Sequence, residues 1–345
     1  MSLGLLLIGR GSHTEIARYL RVAEEVGFDE GWLADERFYR EVYATLTYLA
    51  TQTSTIRIGP CVTDPFARHP AMTAAAIATL DEISGGRALL GVGAGISGFA
   101  EMGIDRRKPA IAIREMIAVV RALLRGETVD FHGEVVEFNN GKLDFKPLRA
   151  DIPIFVASNG PLGQKAAGAV ADGALMEACA SVPEVQAFKK QLARGAVEAG
   201  RDPSECKVIT RVNVCISEEP GKAKDTLRPT VARYIGAARL RQSTLVEQGL
   251  SLPDDVMTSV ADAPYTAGVK PYLPLLPLIT DRHVDALTIA GTTAEVTEHF
   301  AKLMRGGVDA FIIMPFAPEG GTVDEIIRTV GSQVWPEAKR LVGRA

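Results

Sequence analysis

The sequence predicts an α/β protein, a (β/α)8 TIM barrel, and three observations lead there. Short apolar runs rich in β-formers alternate with stretches whose apolar residues recur at helical spacing, and this happens eight times. The connections between the runs are mostly short. The 345 residues are a length that a single α/β barrel routinely reaches, so residues 1–345 read as one domain. A doubly wound open sheet is the runner-up. No repeat of solenoid length is present.

Each element has its own justification. Leu3 to Ile8 is the first strand. Thr14 to Val26 is an amphipathic helix with Ile16, Tyr19, Leu20, Ala23 and Val26 on one face, stopped by Gly27. Gly31 to Ala34 is strand two, closed by Asp35-Glu36-Arg37, and Val42 to Gln52 is helix two. Strand three, Ile56 to Cys61, carries β-forming Ile56 and Ile58 and is broken near its end by Gly59-Pro60. Ala71 to Ile83 is helix three, stopped by Gly85-Gly86, and Ala88 to Val92 is strand four, running into Gly93-Ala94-Gly95. Pro109 to Leu124 is helix four. The alternating runs from Thr128 to Phe145 form an inserted β-hairpin turning at Asn139-Asn140-Gly141. Pro153 to Val156 is strand five, followed by a helix opened by Ser158-Asn159-Gly160-Pro161. Gly173 to Met176 is strand six, Pro183 to Ala199 helix six, Lys207 to Ile216 strand seven, and Pro220 to Leu245 is helical. Gln248 to Asp281 is an irregular excursion before the last strand. Its Tyr265, Tyr272, Leu273, Leu275, Leu276 and Leu278 are apolar for a loop, which predicts burial against a neighbouring subunit or over a substrate. Thr292 to Met304 starts on a capping signal with Glu295, Ala310 to Met314 is strand eight, and Val323 to Pro336 is the last helix.

Composition narrows the function classes. The chain is 47% hydrophobic and 23% charged, with a net charge of −4. Its pI near 5.9 offers no basic footprint for nucleic acid or an anionic membrane. Cys61, Cys179, Cys206 and Cys215 show neither CxxC spacing nor a disulfide framework, which predicts a reducing cytosol. The opening apolar run is too short for a signal sequence or a span, so the expectation is a cytoplasmic protein.

In a barrel the carboxyl ends of the strands form the active face. Arg10, Asp35, Glu36, Arg37, Arg40, Thr63, Asp64, Arg68, His69, Gly93, Gly95, Ser158 to Pro161, Glu177 and Cys179 fall there. Two features stand out. The turns GVGAG and ASNGP let a backbone approach a ligand, and Pro161 at the first helical position with Asn159 or Gly160 before it makes a phosphate cradle. Plain turn chemistry explains either turn alone. GVGAG is not the dinucleotide fingerprint, since Ile96 stands where the third glycine belongs. The second feature is arginine: Arg10, Arg37, Arg40 and Arg68 suit an acidic ligand, or pair with Asp35, Glu36, Glu41 and Asp64 as a solvated rim. His69 can simply cap helix three. Trp32 and the cysteines read as core. His13, His132, His283 and His299 lack metal-ligand spacing.

The segments GWLADERFYREVYATLTYLA, GPCVTDPFARHPA, TAAAIATLDEISGGRALLGVGAG and FKPLRADIPIFVASNGPLGQKAAGAVADGAL resemble the bacterial luciferase-like superfamily. Within it they are most similar to the coenzyme F420-dependent methylenetetrahydromethanopterin reductases. The resemblance covers most of residues 1–200 and fades after about 220, apart from GTTAEV. It implies a barrel holding a deazaflavin or flavin at its mouth. It further implies a bulge at Pro60, Cys61, Val62 and Thr63 with a non-prolyl cis peptide at Cys61–Val62, pressing on the ring from behind. By the same resemblance Asp35 binds the ring's polar edge, Gly93 and Gly95 line the site, and Ala157, Ser158, Asn159, Gly160 and Pro161 hold the phosphate. Three departures are visible: Glu36 replaces a histidine that takes part in proton transfer, Leu6 replaces an acidic residue, and 220–285 does not match.

The function expected is therefore an oxidoreductase passing a hydride between F420 and a small organic substrate, with Glu36 as the titrating catalytic group. F420 carries a lactyl-phosphate and glutamate carboxylates, which suit the arginines. The alternatives are an FMN-dependent monooxygenase using oxygen and a non-catalytic flavin-binding barrel. A homo-oligomer is expected, because the family behaves so, with no nucleic-acid or membrane partner and no metal.

Overall fold

A computed structural model describes residues 1–95, 97–237, 242–263 and 267–343. Ile96 of the GVGAG argument, Tyr265 of the excursion, and 238–241 of the expected helix after Pro220 lie outside the described residues.

The fold is the expected (β/α)8 barrel. Eight parallel strands share one sheet: β1 (Ser2–Leu7), β2 (Glu30–Leu33), β3 (Arg57–Pro60), β4 (Leu90–Gly93), β7 (Ile154–Ala157), β8 (Gly173–Glu177), β9 (Lys207–Ile216) and β11 (Ala310–Pro315). The helices between them are α1 (His13–Glu25), α2 (Val42–Thr51), α3 (Pro70–Ser84), α4 (Pro109–Leu124), α5 (Pro161–Val170), α6 (Val182–Glu198), α7 (Pro220–Gly236), α11 (Thr293–Arg305), α12 (Val323–Thr329) and α13 (Trp335–Leu341). A π turn, Val330–Val334, joins the last two.

By its contacts the chain divides into two compact units. The first comprises Ser2–Leu175 and Lys190–Val208. In it β1 pairs with β2, β2 with β3, β4 with β7 and β7 with β8, all parallel. Bridges at Ile58–Ala88 and Thr63–Val92 join β3 to β4. Trp32 is fully buried, as expected, edge-on to Phe155 with its indole N–H on Glu30. The inserted hairpin, β5 (Val129–His132) with β6 (Glu137–Gly141), is antiparallel as predicted.

Its turn is not where the sequence suggested. Asn139-Asn140-Gly141 lies inside β6, and the positive φ of Asn140 falls opposite a register shift. The tip is at 133–136, shaped by Glu115 of α4, whose carboxylate accepts the N–H groups of Glu134, Val135 and Val136 at 2.6–2.9 Å.

The second unit comprises Met176–Lys189 and the chain from Ile209 onward. In it β9 pairs with β11 and with β10 (Ile289–Gly291), a strand the sequence reading did not find. The excursion is more regular than expected. It holds α9 (Asp254–Val260) and a 3₁₀ segment (Lys270–Leu278), and α10 (Asp281–Leu287) follows, with α8 (Gln242–Glu247) before it. Tyr272 and Leu275 are fully buried in a core with Leu227, Val231 and Ile235 of α7. Part of the apolarity of 248–281 is thus used inside its own unit, while Leu273 stays 42% exposed. Phe300, Phe311 and Trp335 form a second aromatic core there.

Candidate active site

The site begins with backbone that leaves the sheet. β3 ends at Pro60, and Cys61–Val62 is a cis peptide, as the resemblance implied. Cys61 N–H still bonds Leu33 at 2.7 Å, Thr63 N–H bonds Gly91 at 3.0 Å, and Gly93 N–H bonds Thr63 at 2.8 Å. The bulge therefore stays anchored to β2 and β4. It lies so close to β4 that a Cβ on Gly91 would sit 2.3 Å from the Pro60 carbonyl, and one on Gly93 2.5 Å from Val62. The glycines of GVG exist for that approach. Gly93 also abuts Ala157 on β7, so Val62, Gly93 and Ala157 form one continuous wall.

The end of β2 supplies the charges. The half-buried Asp35 carboxyl is pushed above its ordinary 3.8 chiefly by burial, opposed by the Thr63 hydroxyl and by Arg37 and Arg68. Glu36 accepts a hydrogen bond from Ser97 Oγ at 2.5 Å. Arg37 pairs with Asp64, which is buried and also accepts the N–H groups of Phe66 and Ala67 at 2.8 Å. The Arg37 guanidinium stacks on Phe99, 4.3 Å from the ring centre.

The paired-rim alternative describes two of the arginines, Arg37 and Arg68. Arg37 takes Asp64, Arg68 takes Glu41, Arg40 donates to the carbonyls of Gly9 and Arg10, and Arg10 lies over Tyr39. Carboxylate pairing thus holds for Arg37 and Arg68, while the exposed Arg10 and Arg40 meet a ring and backbone carbonyls.

The cradle after β7 has the expected form. Gly160 caps α5, Pro161 takes the first turn, and no side chain caps the helix. Ser158 Oγ bonds the Gly160 N–H at 3.2 Å, and a Cβ on Gly160 would meet nothing within 4 Å. Ser158 lies beside that first turn, where a Cβ on Gly163 would sit 2.2 Å from its Oγ.

Asp35, Glu36, Pro60, Cys61, Val62, Thr63, Gly93, Gly95, Ala157 and Ser158 to Pro161 all fall in the first unit. Sequence reasoning missed Tyr43, Ser97 and Phe99, which reach the site only through tertiary packing. His69 caps α3 through Ala71 N–H and is no ligand of this cluster.

The second unit holds two features of its own. Arg211 pairs with Glu177 at 3.0 Å and donates to Tyr234 Oη at 2.5 Å, a buried ionic cluster. A cavity of about 550 Å³ is lined by Lys224, Asp285 and His299, among others. None of the predicted site residues lines it. Lys224 is paired with Asp285, and His299 bonds the Ala180 carbonyl.

A barrel whose third strand ends in a cis bulge against glycines of the fourth defines a class, and the comparisons agree. Residues 4–310 match the model of the luciferase-like monooxygenase family, and the chain belongs to that family. Within it, the chain is 32% identical over 341 residues to a 5,10-methylenetetrahydromethanopterin reductase of Archaeoglobus fulgidus, covering 98% of this chain and 100% of that one. A reductase of the same description from Methanolobus tindarius is 33% identical over 337 residues, 97% of this chain and 99% of that one. Among solved structures, the coenzyme F420-dependent tetrahydromethanopterin reductase from Methanopyrus kandleri superposes with a TM-score of 0.86 at 28% identity, covering 98% and 99% of the two chains. The similarity expected to fade after about 220 runs through the chain.

Proposed function

We propose that this protein is an oxidoreductase passing a hydride between coenzyme F420 and a small organic substrate. The observation that carries the reading is the start of α5, which has Gly160 at its cap, Pro161 in its first turn and no side-chain cap on its N–H groups. A phosphate fits those donors, and the half-buried Asp35 carboxyl fits the polar edge of a ring. When bound, the coenzyme supplies the ring carbon that gives or takes the hydride. The chain supplies the rest. α5 holds the phosphate, the wall of Val62, Gly93 and Ala157 backs the ring, and the adjacent carboxylates Asp35 and Glu36 handle the proton. Gly95 and Thr63 complete the lining.

The relatives' substrate makes a one-carbon-carrying reduced pterin the first compound to try. The test is the absorbance of F420 on mixing with enzyme and candidate substrates. Reduction of F420 supports the reading, and its failure with every pterin and alcohol donor tried, alongside oxygen uptake with reduced FMN, overturns it.

That FMN reading is the second one. The family's monooxygenase description favours it, and so does the pairing of Arg37 with Asp64 and of Arg68 with Glu41, which leaves those two cations less to offer an acidic tail. The proposal also includes one functional domain over residues 1–345, a homo-oligomer, and a cytoplasmic setting that suits Cys61, Cys179, Cys206 and Cys215, none of them in a disulfide.

A further inference from the structure

We propose that Asn213 and Tyr234 recognise the lactam edge of the substrate, a ring N–H beside a ring carbonyl. This deepens the reading above by naming a group on the substrate, and it rests on that reading.

The pair belongs to the second unit, at the carboxyl ends of its strands. Glu177 is the last residue of β8. Ala178, next to it, donates its N–H to the Arg211 carbonyl at 2.8 Å, which sets Arg211 of β9 level with that end. Asn213 is in register with Met314, the last residue but one of β11. The active face of a barrel lies at this level. Residues 211 and 213 share one face of β9. On that face Arg211 donates to Glu177 at 3.0 Å and to Tyr234 Oη of α7 at 2.5 Å.

The hydrogen bonds of this cluster do not close. Asn213 and Tyr234 are 1% and 3% exposed. Asn213 Nδ2 donates to Tyr234 Oη at 3.2 Å, while among the described residues Asn213 Oδ1 has no partner. A phenol oxygen accepts two hydrogen bonds and donates one. Arg211 and Asn213 supply both donors to Tyr234, so the phenol's own proton is directed at neither. An acceptor and a donor thus stand side by side, and a buried acceptor left unpaired is costly until a polar group arrives. The backbone is strained at the same place. Buried Ala178 holds a φ of 56°, a left-handed conformation that alanine keeps only where its surroundings enforce it.

Charge sets the class of ligand. Arg211 and Glu177 neutralise one another, with side chains only 9% and 19% exposed. An anionic group would be brought against Glu177 and a cationic one against Arg211, so the site selects a neutral group. The neutral group that offers an N–H to Asn213 and a carbonyl to Tyr234 is a lactam. A pterin carries one, and so does the coenzyme ring, so the test separates the two sources.

The test uses the whole chain. Wild type, Asn213→Leu and Tyr234→Phe are titrated with a methylpterin, followed by its fluorescence, and with its diamino analogue, in which an amino group replaces the ring carbonyl. Each protein is also titrated with F420. The expected result is a wild-type preference for the methylpterin of about tenfold or more, the kind of rejection a buried polar site gives an analogue that lacks its partner. Both variants should bind the two pteridines alike, with F420 affinity unchanged. No preference in wild type, or a preference that survives both substitutions, overturns the proposal. Loss of F420 affinity in the variants with the pteridine preference intact would give the lactam to the coenzyme and overturn its assignment to the substrate. Tyr234→Phe keeps the ring in its core and Arg211 on Glu177, so its urea midpoint should match that of wild type. A lowered midpoint with the preference kept marks a purely structural role and also overturns the proposal. A methylpterin preference without hydride transfer to or from F420 would defeat the functional reading while leaving the lactam site in place.

Discussion

Asp64 and Arg37 show how burial ranks the charges around the site. Their side chains are 3% and 9% exposed, so removing one strands the other. Asp64→Ala should cost about 3–5 kcal/mol in urea unfolding, the usual loss when a buried pair is broken. Arg68→Ala should cost at most about 1 kcal/mol, because its pair with Glu41 is 30% and 50% exposed. His299 gives a pH signature. Burial, opposed by the Ala180 carbonyl bond, holds its pKa below the ordinary 6.5. The unfolded chain therefore binds a proton that the folded chain refuses, and stability falls as pH drops through and below 6.5. His283 is shifted the same way. His299→Gln should reduce, without abolishing, the fall in urea midpoint between about pH 8 and about pH 5.5. Asp35 runs opposite: its raised pKa means stability present below 3.8 is lost as pH rises. At this scale the sequence exposed Asp35, Glu36 and the arginines as strand-end residues. It could not say which arginine meets which carboxylate. Tyr43 and Ser97 carry no local signal at all, because only packing brings them to Asp35 and Glu36.

The elements were more legible. α4 and β9 have the predicted bounds, since each is a long run with one clear period. α11 begins at its capping box, with Thr292 and Glu295 bonded reciprocally. The hairpin tip was not legible because its cause is Glu115 on another element. α10 and β10 were hidden by their shortness, and in the excursion the sequence could not tell Leu275, which packs inside its own unit, from Leu273, which stays 42% exposed, because both kinds of burial look alike in sequence. Leu275 decides between those two roles: Leu275→Ala should cost about 2–5 kcal/mol in unfolding by emptying a packed site. A role confined to a subunit contact would instead lower the oligomer mass at unchanged unfolding free energy per chain. At α5, Gly160→Asp should separate stability from binding. Aspartate is at least as good an N-cap as glycine, so unfolding should shift by only a few tenths of a kcal/mol. The same carboxylate would occupy the donors meant for phosphate, and F420 affinity should fall tenfold or more, about 1.4 kcal/mol.

For the whole molecule, alternation and length were enough to specify the barrel, because eight strand-and-helix units with short links leave few other topologies. No helix among the described residues is long and apolar enough to cross a membrane. What composition could not reach is the ligand, since F420 and FMN both present a ring and a phosphate. The most direct test is fluorescence titration of the purified protein with each coenzyme in turn. The account predicts F420 binding that is tighter than FMN binding and is lost in Gly160→Asp. Preference for FMN, or binding of neither, would contradict it.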